Sequence, residues 1–173
     1  MKTKRLFVVM GVSGCGKSTI GKLLGTALDL PFFDADDFHP TENIKKMQSG
    51  QPLDDEDRQE WLLVLNKLLQ SQSELGAVLA CSALKDDYRK ILRKGAAKNL
   101  RFIYLKGSFE QILKRIQNRK GHFMPADLLQ SQFEALQPPK VAITVTINES
   151  PESMLKTILT KIGELDKPTS KPF

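Results

Sequence analysis

Residues 6–28 place a glycine-rich phosphate-binding pattern between a short apolar run and an amphipathic stretch. The run Leu6–Met10 is continuously apolar, which predicts a buried strand. The segment Gly11–Ser18 then matches G-x-x-x-x-G-K-[ST], the P-loop pattern. The apolar residues of Thr19–Leu28 fall on one helical face. A strand, a P-loop and a helix in this order require a sheet whose first strand leads directly into a phosphate-binding loop.

The residue types in this loop suit the chemistry of nucleotide phosphates. Glycines let consecutive backbone N–H groups point toward one centre, and the following helix directs its positive end to the same place. Lys17 supplies an ammonium group for the β- and γ-phosphates, and the Ser18 hydroxyl is suited to ligating Mg²⁺. We therefore predict that the loop binds ATP with Mg²⁺. The predicted nucleotide-binding residues in it are Gly11, Val12, Ser13, Gly14, Cys15, Gly16, Lys17, Ser18 and Thr19.

Length and composition favour one domain and exclude two classes of partner. A chain of 173 residues fits a single domain over residues 1–173. No apolar run approaches the roughly 20 residues of a membrane span, and the stretch after the basic start is too short for a signal peptide. The basic residues behind the net charge of +6 are spread along the chain, so we expect neither a nucleic acid nor a membrane as partner. Cys15 and Cys81 suggest no disulfide, which fits a cytoplasmic protein.

Five strand-like segments alternate with helical stretches along the chain. The predicted strands span residues 6–10, 32–33, 77–81, 101–105 and 141–147. The predicted helices span residues 19–28, 40–47, 54–73, 85–97, 109–119, 127–136 and 151–165, before a frayed polar tail at 166–173. The β-α unit repeats five times, with extra helices after the second strand and after the fifth helix. This alternation predicts an α/β fold with a five-stranded parallel sheet and helices on both faces.

Three features favour a small-molecule kinase over other P-loop proteins. The chain is short and lacks the D-x-x-G and N-K-x-D motifs expected of a GTPase. Asp34 and Asp36 follow the second strand, at the carboxyl edge of the sheet where ligands bind. Arg115 and Arg119 precede a glycine-containing loop, and in nucleoside-monophosphate-kinase-like folds such a segment is a lid over the nucleotide. We predict this helical lid at about residues 119–136.

A series of ordered motifs resembles the gluconokinase family. The motifs are Asp34–Pro40, Asn43–Met47, Gly50–Asp55, Asp57-Arg58, Trp61-Leu62, Cys81–Lys85, Tyr88-Arg89, His122–Pro125 and Leu128–Phe133. With the P-loop, the resemblance covers about residues 6–137. It implies a nucleoside-monophosphate- or shikimate-kinase-like fold, phosphorylation of D-gluconate by ATP to 6-phosphogluconate, and a homodimer. The chain departs from the usual family pattern at Cys15, Ala35, Glu60 and Lys140.

Within this family, the two carboxylates after the second strand are candidates for the reaction centre. We predict that Asp36 orients the C6 hydroxyl of gluconate and accepts its proton. Asp34 either holds a magnesium-bound water or fixes Lys17. The alternative for both is a solvated loop.

Gluconate carries a carboxylate and several hydroxyls, so its pocket needs a fixed cation and hydrogen-bond partners. Arg58 and Arg89 are candidates for the carboxylate, because a guanidinium can bind it with two parallel hydrogen bonds. The candidates for the hydroxyls are His39, Ser82 and Lys85, with His122 added from the lid. Each of three has an alternative role. The alternative for Arg58 is an ion pair with Asp54 or Asp55, and the alternative for Arg89 is a charge on the helix surface. The alternative for His39 is to cap the helix that starts at Pro40.

Arg115 and Arg119 are four residues apart and therefore share one helical face. We predict that Arg115 stabilises charge in the transition state and that Arg119 binds the nucleotide by stacking on adenine. The alternative for both is a solvated basic face.

Overall fold

Strands alternate with helices along the described chain, with two successive helices between the second and third strands and between the fourth and fifth. The computed structural model describes residues 5–96, 100–119 and 126–166. The strands are β1 (Leu6–Met10), β2 (Phe32–Asp34), β3 (Ala77–Ala80), β4 (Leu100–Lys106) and β5 (Ile143–Thr146). The helices are α1 (Lys17–Leu28), α2 (Thr41–Gln48), α3 (Asp55–Ser71), α4 (Asp86–Arg93), α5 (Phe109–Asn118), α6 (Ala126–Ala135) and α7 (Pro151–Leu165). A 3₁₀ turn, Ala35–Phe38, follows β2 directly.

All five strands are parallel and lie in the order β2-β3-β1-β4-β5. The central strand β1 pairs Leu6 with Ala77 of β3 on one side and with Leu100 of β4 on the other. The strand order reverses direction around β1, because β3 and β4 flank it on opposite sides. This is the topological switch point at which open α/β sheets bind ligands. The predicted α/β fold with a five-stranded parallel sheet is therefore confirmed.

The sheet separates two apolar core layers, and β1 contributes alternate residues to each. Phe7 and Val9 face a layer formed with α1, α5 and α7, whereas Leu6, Val8 and Met10 face a layer formed with α3 and α4. Every residue of β1 is fully buried. The continuous apolar run of the sequence is explained by this burial on both faces.

Several element boundaries differ from the sequence prediction. Helix α1 begins at Lys17 rather than Thr19, so it starts inside the P-loop motif. Helix α4 ends at Arg93 rather than 97, and Gly95 then takes a left-handed φ of 78° that a helix does not allow. Strand β5 begins at Ile143, since Val141 is 76% exposed. The apolar patterns of the sequence thus predicted where the elements lie, whereas local turns in the structure determine where they begin and end.

The predicted lid and tail fall partly outside the described residues. Residues 120–125, with His122, and residues 167–173 belong to the parts that are not described. Helix α6, from the second half of the predicted lid, is docked on the core through fully buried Leu129. Asp166, predicted to begin the frayed tail, forms ion pairs with Arg5 and, at 3.2 Å, with Arg101. Over the described ranges, no helix is long and apolar enough to cross a membrane.

Candidate active site

Helix α1 begins with backbone N–H groups that no side chain caps. Its N-cap is Gly16, which makes no side-chain hydrogen bond to the first turn. Helices α3, α5 and α7 are instead capped by Asp54, Ser108 and Ser150. The first N–H groups of a helix need acceptors, and an anion such as phosphate provides them. Helices α2 and α4 also start without a side-chain cap, so it is the P-loop before α1 that suits this helix start to a phosphate group.

Two glycines give the loop a shape that other residues cannot take. Gly11 has a φ of 146°, and a Cβ there would lie 2.7 Å from the Cys15 Sγ and 2.9 Å from the Leu105 carbonyl oxygen. Gly14 has a φ of 80°, and its Cβ would lie 2.7 Å from the Ile116 side chain. The backbone therefore packs tightly against β4 and α5 from beneath. The Lys17 Nζ donates to the Val12 carbonyl at 3.1 Å, which keeps the ammonium over the loop.

Ser18 and Asp34 bring a hydroxyl and a carboxylate together beside the loop. The Ser18 Oγ donates to the Asp34 Oδ2 at 2.7 Å, and the Asp36 N–H donates to the other Asp34 oxygen at 3.1 Å. Hydroxyl and carboxylate oxygens are the ligands that Mg²⁺ prefers, and Mg²⁺ commonly keeps several waters when only one or two side chains hold it. The two predicted metal residues therefore fit a magnesium ion, and the Asp34 side chain pairs with Ser18 rather than with Lys17.

A cavity of about 320 Å³ opens beside the P-loop on the side of α5. The P-loop residues that line it are Gly14, Cys15 and Gly16, and α1 adds Thr19 and Ile20. Its other lining residues are Arg115, Asn118, Arg119, Glu149, Pro151 and Met154. Both predicted arginines therefore lie at a cavity next to the phosphate loop. A solvated basic face is the wrong description of Arg115, because this half-buried side chain donates to the Ile147 carbonyl.

The 3₁₀ turn after β2 presents Asp36 at the surface and is held from below by α3. The Trp61 Nε1 donates to the Ala35 carbonyl at 2.8 Å, and the Trp61 ring stacks on His39 with centroids 4.4 Å apart. The His39 Nε2 lies 3.8 Å from the Asp36 Oδ1. The nearby imidazole and the more distant Lys17 lower the pKa of the Asp36 carboxyl. The Asp36 side chain is 87% exposed and is ionised at neutral pH.

His39 does not cap α2, since the N-cap residue of that helix is Pro40 and no side chain caps it. The alternative capping role predicted from the sequence is therefore wrong. Only 7% of the His39 side chain is exposed, and its stacking on Trp61 fixes the ring plane. His39 thus supports the turn that carries Asp36.

The loop after β3 contacts the P-loop and is held in a strained shape by Arg89. The Gly11 N–H donates to the Ser82 carbonyl at 3.3 Å. Ala83 takes a left-handed φ of 44°, which costs about 1–2 kcal/mol in a residue with a Cβ. One terminal nitrogen of Arg89 donates to the carbonyls of Ala83 and Leu84 at 2.8 and 3.0 Å. Arg89 is only 4% exposed. The alternative offered from the sequence, a charge on the helix surface, is therefore wrong.

The guanidinium of Arg89 is used within the protein. Its second terminal nitrogen donates to the Gln137 carbonyl at 2.8 Å and lies 3.6 Å from the Asp86 carboxylate. Burial lowers the pKa of Arg89, which nevertheless remains a cation. These contacts correct the prediction that Arg89 supplies a free fork to a substrate carboxylate. Its position instead fixes Ser82–Leu84 beside the P-loop.

Arg58 belongs to a network of four side chains at the start of α3 and α4. One terminal nitrogen of Arg58 donates to the Tyr88 hydroxyl at 3.2 Å, and this hydroxyl donates to Asp55. The Lys85 Nζ donates to both Asp55 oxygens at 2.8 Å. Lys85 and Tyr88 lower the pKa of Asp55, and Asp55 raises the pKa of Lys85. Lys85 contacts the Asp55 carboxylate directly, and Arg58 reaches it through the Tyr88 hydroxyl. Two cations and one carboxylate give this network a net positive charge.

Arg58 makes no ion pair with Asp54 or Asp55 among the contacts that the described chain contains, although the sequence offered that alternative. Asp54 instead caps α3 and pairs with Lys46, whose Nζ lies 3.6 Å away. Arg58 therefore keeps donors for another acceptor. Lys85, predicted to meet hydroxyls, uses its ammonium on Asp55.

Apart from His122, which lies outside the described residues, the predicted residues come to one edge of the sheet, and the structure adds others that sequence reasoning missed. Asp55 and Tyr88 orient Arg58, and Gln132 from α6 accepts a hydrogen bond from the Ser13 N–H at 2.7 Å. The sequence carried two signals for Tyr88, because it belongs to the Tyr88-Arg89 motif of the family resemblance and lies three residues after Lys85, on the same helical face. Nothing in the sequence pairs Gln132 with Ser13, which is 119 residues away.

Comparison with known proteins identifies the family. The family model for shikimate kinase matches residues 13–161. A probable gluconokinase of Mus musculus is 46% identical over 171 residues, which cover 87% of this chain and 93% of the mouse protein. The thermosensitive gluconokinase of Escherichia coli K12 is 50% identical over 137 residues, covering 78% of this chain and 72% of that enzyme.

Solved structures agree with this relationship. The crystal structure of a gluconokinase from Sinorhizobium meliloti 1021 superimposes with a TM-score of 0.88 and 39% identity, covering 95% of each chain. A shikimate kinase from Aquifex aeolicus shares the fold with a TM-score of 0.62 at 19% identity. The P-loop kinase fold and the family resemblance expected from the sequence are both confirmed. The chain belongs to the gluconokinase family of kinases, and it matches the family model for shikimate kinase.

Proposed function

We propose that this protein transfers the γ-phosphoryl group of ATP to the C6 hydroxyl of D-gluconate, giving ADP and 6-phospho-D-gluconate. The observation that carries the proposal is the arrangement of a P-loop, an ionised Asp36 and a cationic network around Arg58 at one edge of the sheet. The gluconokinases at 46% and 50% identity support the choice of acceptor.

The nucleotide side of the mechanism is positioning and neutralisation of charge, which is most of what phosphoryl transfer needs. The backbone N–H groups of residues 14–18 and the Lys17 ammonium bind and orient the phosphates of ATP, since the Ser13 N–H donates to Gln132. When bound, Mg²⁺ neutralises phosphate charge, with Ser18 and Asp34 as the residues that would hold it. Arg115 supplies positive charge near the transferring group, and Arg119 contacts the base.

The acceptor side orients one hydroxyl and recognises one carboxylate. Asp36 accepts a hydrogen bond from the C6 hydroxyl and takes its proton as the new O–P bond forms. Its lowered pKa keeps this carboxylate charged at neutral pH rather than making it a strong base. Arg58 binds the gluconate carboxylate through the donors that Tyr88 leaves free. His39, Ser82, Lys85 and His122 remain proposed contacts of the hydroxyls, and Arg89 holds the loop.

A panel of acceptors tests this function. The purified protein is assayed with MgATP by coupled ADP release, using D-gluconate, its neutral counterpart D-glucitol, shikimate and nucleoside monophosphates. We expect turnover with D-gluconate, and loss of most of it with D-glucitol because Arg58 then has no carboxylate to bind. Shikimate is included because the matching family model is that of shikimate kinase. Turnover with shikimate or a nucleotide but not with D-gluconate would contradict the proposal.

The homodimer and the cytoplasmic location implied by the sequence remain predictions. Light scattering on the purified protein measures the mass, and twice 19.4 kDa is the expected value. Localisation of the tagged protein in its own cells tests the second prediction.

A further inference from the structure

Helix α6 reaches the phosphate loop through one side chain. The Gln132 Oε1 accepts a hydrogen bond from the Ser13 N–H at 2.7 Å, and the Gln132 Nε2 lies 3.5 Å from the Ser13 Oγ. Ser13 directly precedes residues 14–18, whose backbone N–H groups we assign to the phosphates. A side chain from a distant helix therefore fixes the backbone of this loop at its beginning.

Gln137, two residues after the end of α6, contacts the loop after β3. The Gln137 N–H donates to the Leu84 carbonyl at 2.9 Å. The Gln137 Oε1 accepts from the Asp86 N–H at 2.7 Å, at the start of α4, and the Gln137 carbonyl accepts from Arg89 at 2.8 Å. Gln137 thus forms three hydrogen bonds that fix the loop Ser82–Lys85, the acceptor-side loop, and the start of α4.

The segment between these two glutamines is firmly packed. The Phe133 ring contacts the Phe109 ring edge to face with centroids 5.7 Å apart, and Leu129, which precedes the segment on the same helix, is fully buried. Leu136 packs against both core layers, and its N–H donates to the Gln132 carbonyl at 3.0 Å. A packed segment with a polar contact at each end is able to transmit a constraint from one loop to the other.

We propose that Gln132 is a positioning residue through which residues 132–137, the connecting segment, couple nucleotide binding to acceptor binding. A nucleotide that fixes the position of the P-loop therefore also fixes, through Gln132 and Gln137, the position of the loop after β3 that the acceptor meets. The coupling is reciprocal, so the acceptor strengthens nucleotide binding by the same factor. The identity of the acceptor as gluconate rests on the proposed function.

The test is a binding cycle with a matched control. Calorimetry measures the Kd of a non-hydrolysable ATP analogue with Mg²⁺, with and without saturating D-gluconate, for the wild type, Gln132→Met and Gln130→Met. Methionine keeps the length and helix propensity of glutamine but lacks its amide. Gln130 lies on the same helix, is exposed, and contacts only Glu134 among its described hydrogen-bond partners.

We expect D-gluconate to tighten nucleotide binding at least about fivefold in the wild type and in Gln130→Met, and less than about twofold in Gln132→Met. Should Gln132→Met unfold at the assay temperature, Gln137→Ala provides the same test, because it removes the bond to the Asp86 N–H and leaves the P-loop untouched. That variant is expected to lose the coupling while it binds the nucleotide alone normally.

Equal coupling in the wild type and Gln132→Met would overturn the inference, as would a wild type that binds both ligands without coupling. Failure of the wild type to bind D-gluconate at all contradicts the proposed function instead. The acceptor found by the panel then replaces D-gluconate, and the same two criteria decide the inference.

Discussion

Asp36 sits in the first turn after β2, where its carboxylate is exposed and close to His39. Replacing it by asparagine keeps the shape of the side chain but removes the group that accepts the proton. We expect Asp36→Asn to lower kcat by about 10²- to 10⁴-fold while the Kd of ATP changes little. Steady-state kinetics and calorimetry measure the two quantities.

Asp37 provides the control for this variant, since it is the adjacent aspartate on the same exposed turn. Asp37→Asn should retain most of the wild-type kcat. Undiminished turnover in Asp36→Asn would refute the role of that carboxylate.

Tyr88 joins Arg58 to Asp55 through one hydroxyl group. Tyr88→Phe keeps the buried ring and removes that link, so the guanidinium loses a partner that fixes its orientation. A hydrogen bond to a charged group contributes about 1.5–3 kcal/mol. We therefore expect the KM for D-gluconate to rise about 10- to 100-fold, with kcat and the KM for ATP much less affected.

The other tyrosine of the chain, Tyr104, is buried in β4 and supplies the control. Tyr104→Phe should leave the KM for D-gluconate near the wild-type value. An equal rise in both variants would mean that Tyr88 matters only for packing.

Cys15 and Cys81 are free thiols with almost no exposed surface. Burial raises the pKa of Cys81 to about 12 and also raises the pKa of Cys15. A thiol whose pKa is raised forms its reactive thiolate only at higher pH, so both groups stay protonated at pH 8. We expect iodoacetamide to leave the native protein unlabelled at pH 8 and to label both cysteines in urea. Mass spectrometry measures the labelling. Rapid labelling of the native protein would contradict this expectation.

Helix α1 packs so closely against β2 that one of its positions must be glycine. A Cβ on Gly21 would lie 2.5 Å from the Phe32 ring. In α7, by contrast, a Cβ on Gly163 would meet nothing within 4 Å. Alanine is favoured over glycine in a helix by about 1 kcal/mol, whereas overpacking costs about 1–3 kcal/mol.

Gly163→Ala should therefore raise the free energy of unfolding by about 0.5–1 kcal/mol, and Gly21→Ala should lower it. Denaturant titration of the two variants measures this difference. A Gly21→Ala protein as stable as Gly163→Ala would show that the contact between α1 and β2 is looser than described.

At the scale of the whole molecule, the sequence was sufficient for the sheet, the P-loop and the family. Strand β1 is apolar throughout because both its faces are buried, and the P-loop motif fixes its spacing against α1. Asp34 and Ser18 were predictable as neighbours, because Asp34 ends β2 and Ser18 lies in the loop motif that follows β1, at the same edge of the sheet.

The roles of the two acceptor-side arginines were not separable from the sequence. Arg58 and Arg89 lie near the N-termini of successive helices, and only the packing buries the second against backbone carbonyls of three residues. Gln132 was missed for a similar reason, since its contact with Ser13 depends on how α6 docks. Local sequence patterns predict elements well, but such long-range contacts are set by tertiary packing.

The central claim is phosphoryl transfer from ATP to the C6 hydroxyl of D-gluconate. The most direct measurement is ³¹P NMR of the product formed from MgATP and D-gluconate. Among the hydroxyl-bearing carbons of gluconate, only C6 carries two hydrogens, so the product phosphorus should couple to two protons. We predict one phosphomonoester signal with this coupling, and a rate of its formation at least about 100-fold lower with Asp36→Asn. A phosphorus coupled to a single proton, or no phosphomonoester from the wild type, would contradict the claim.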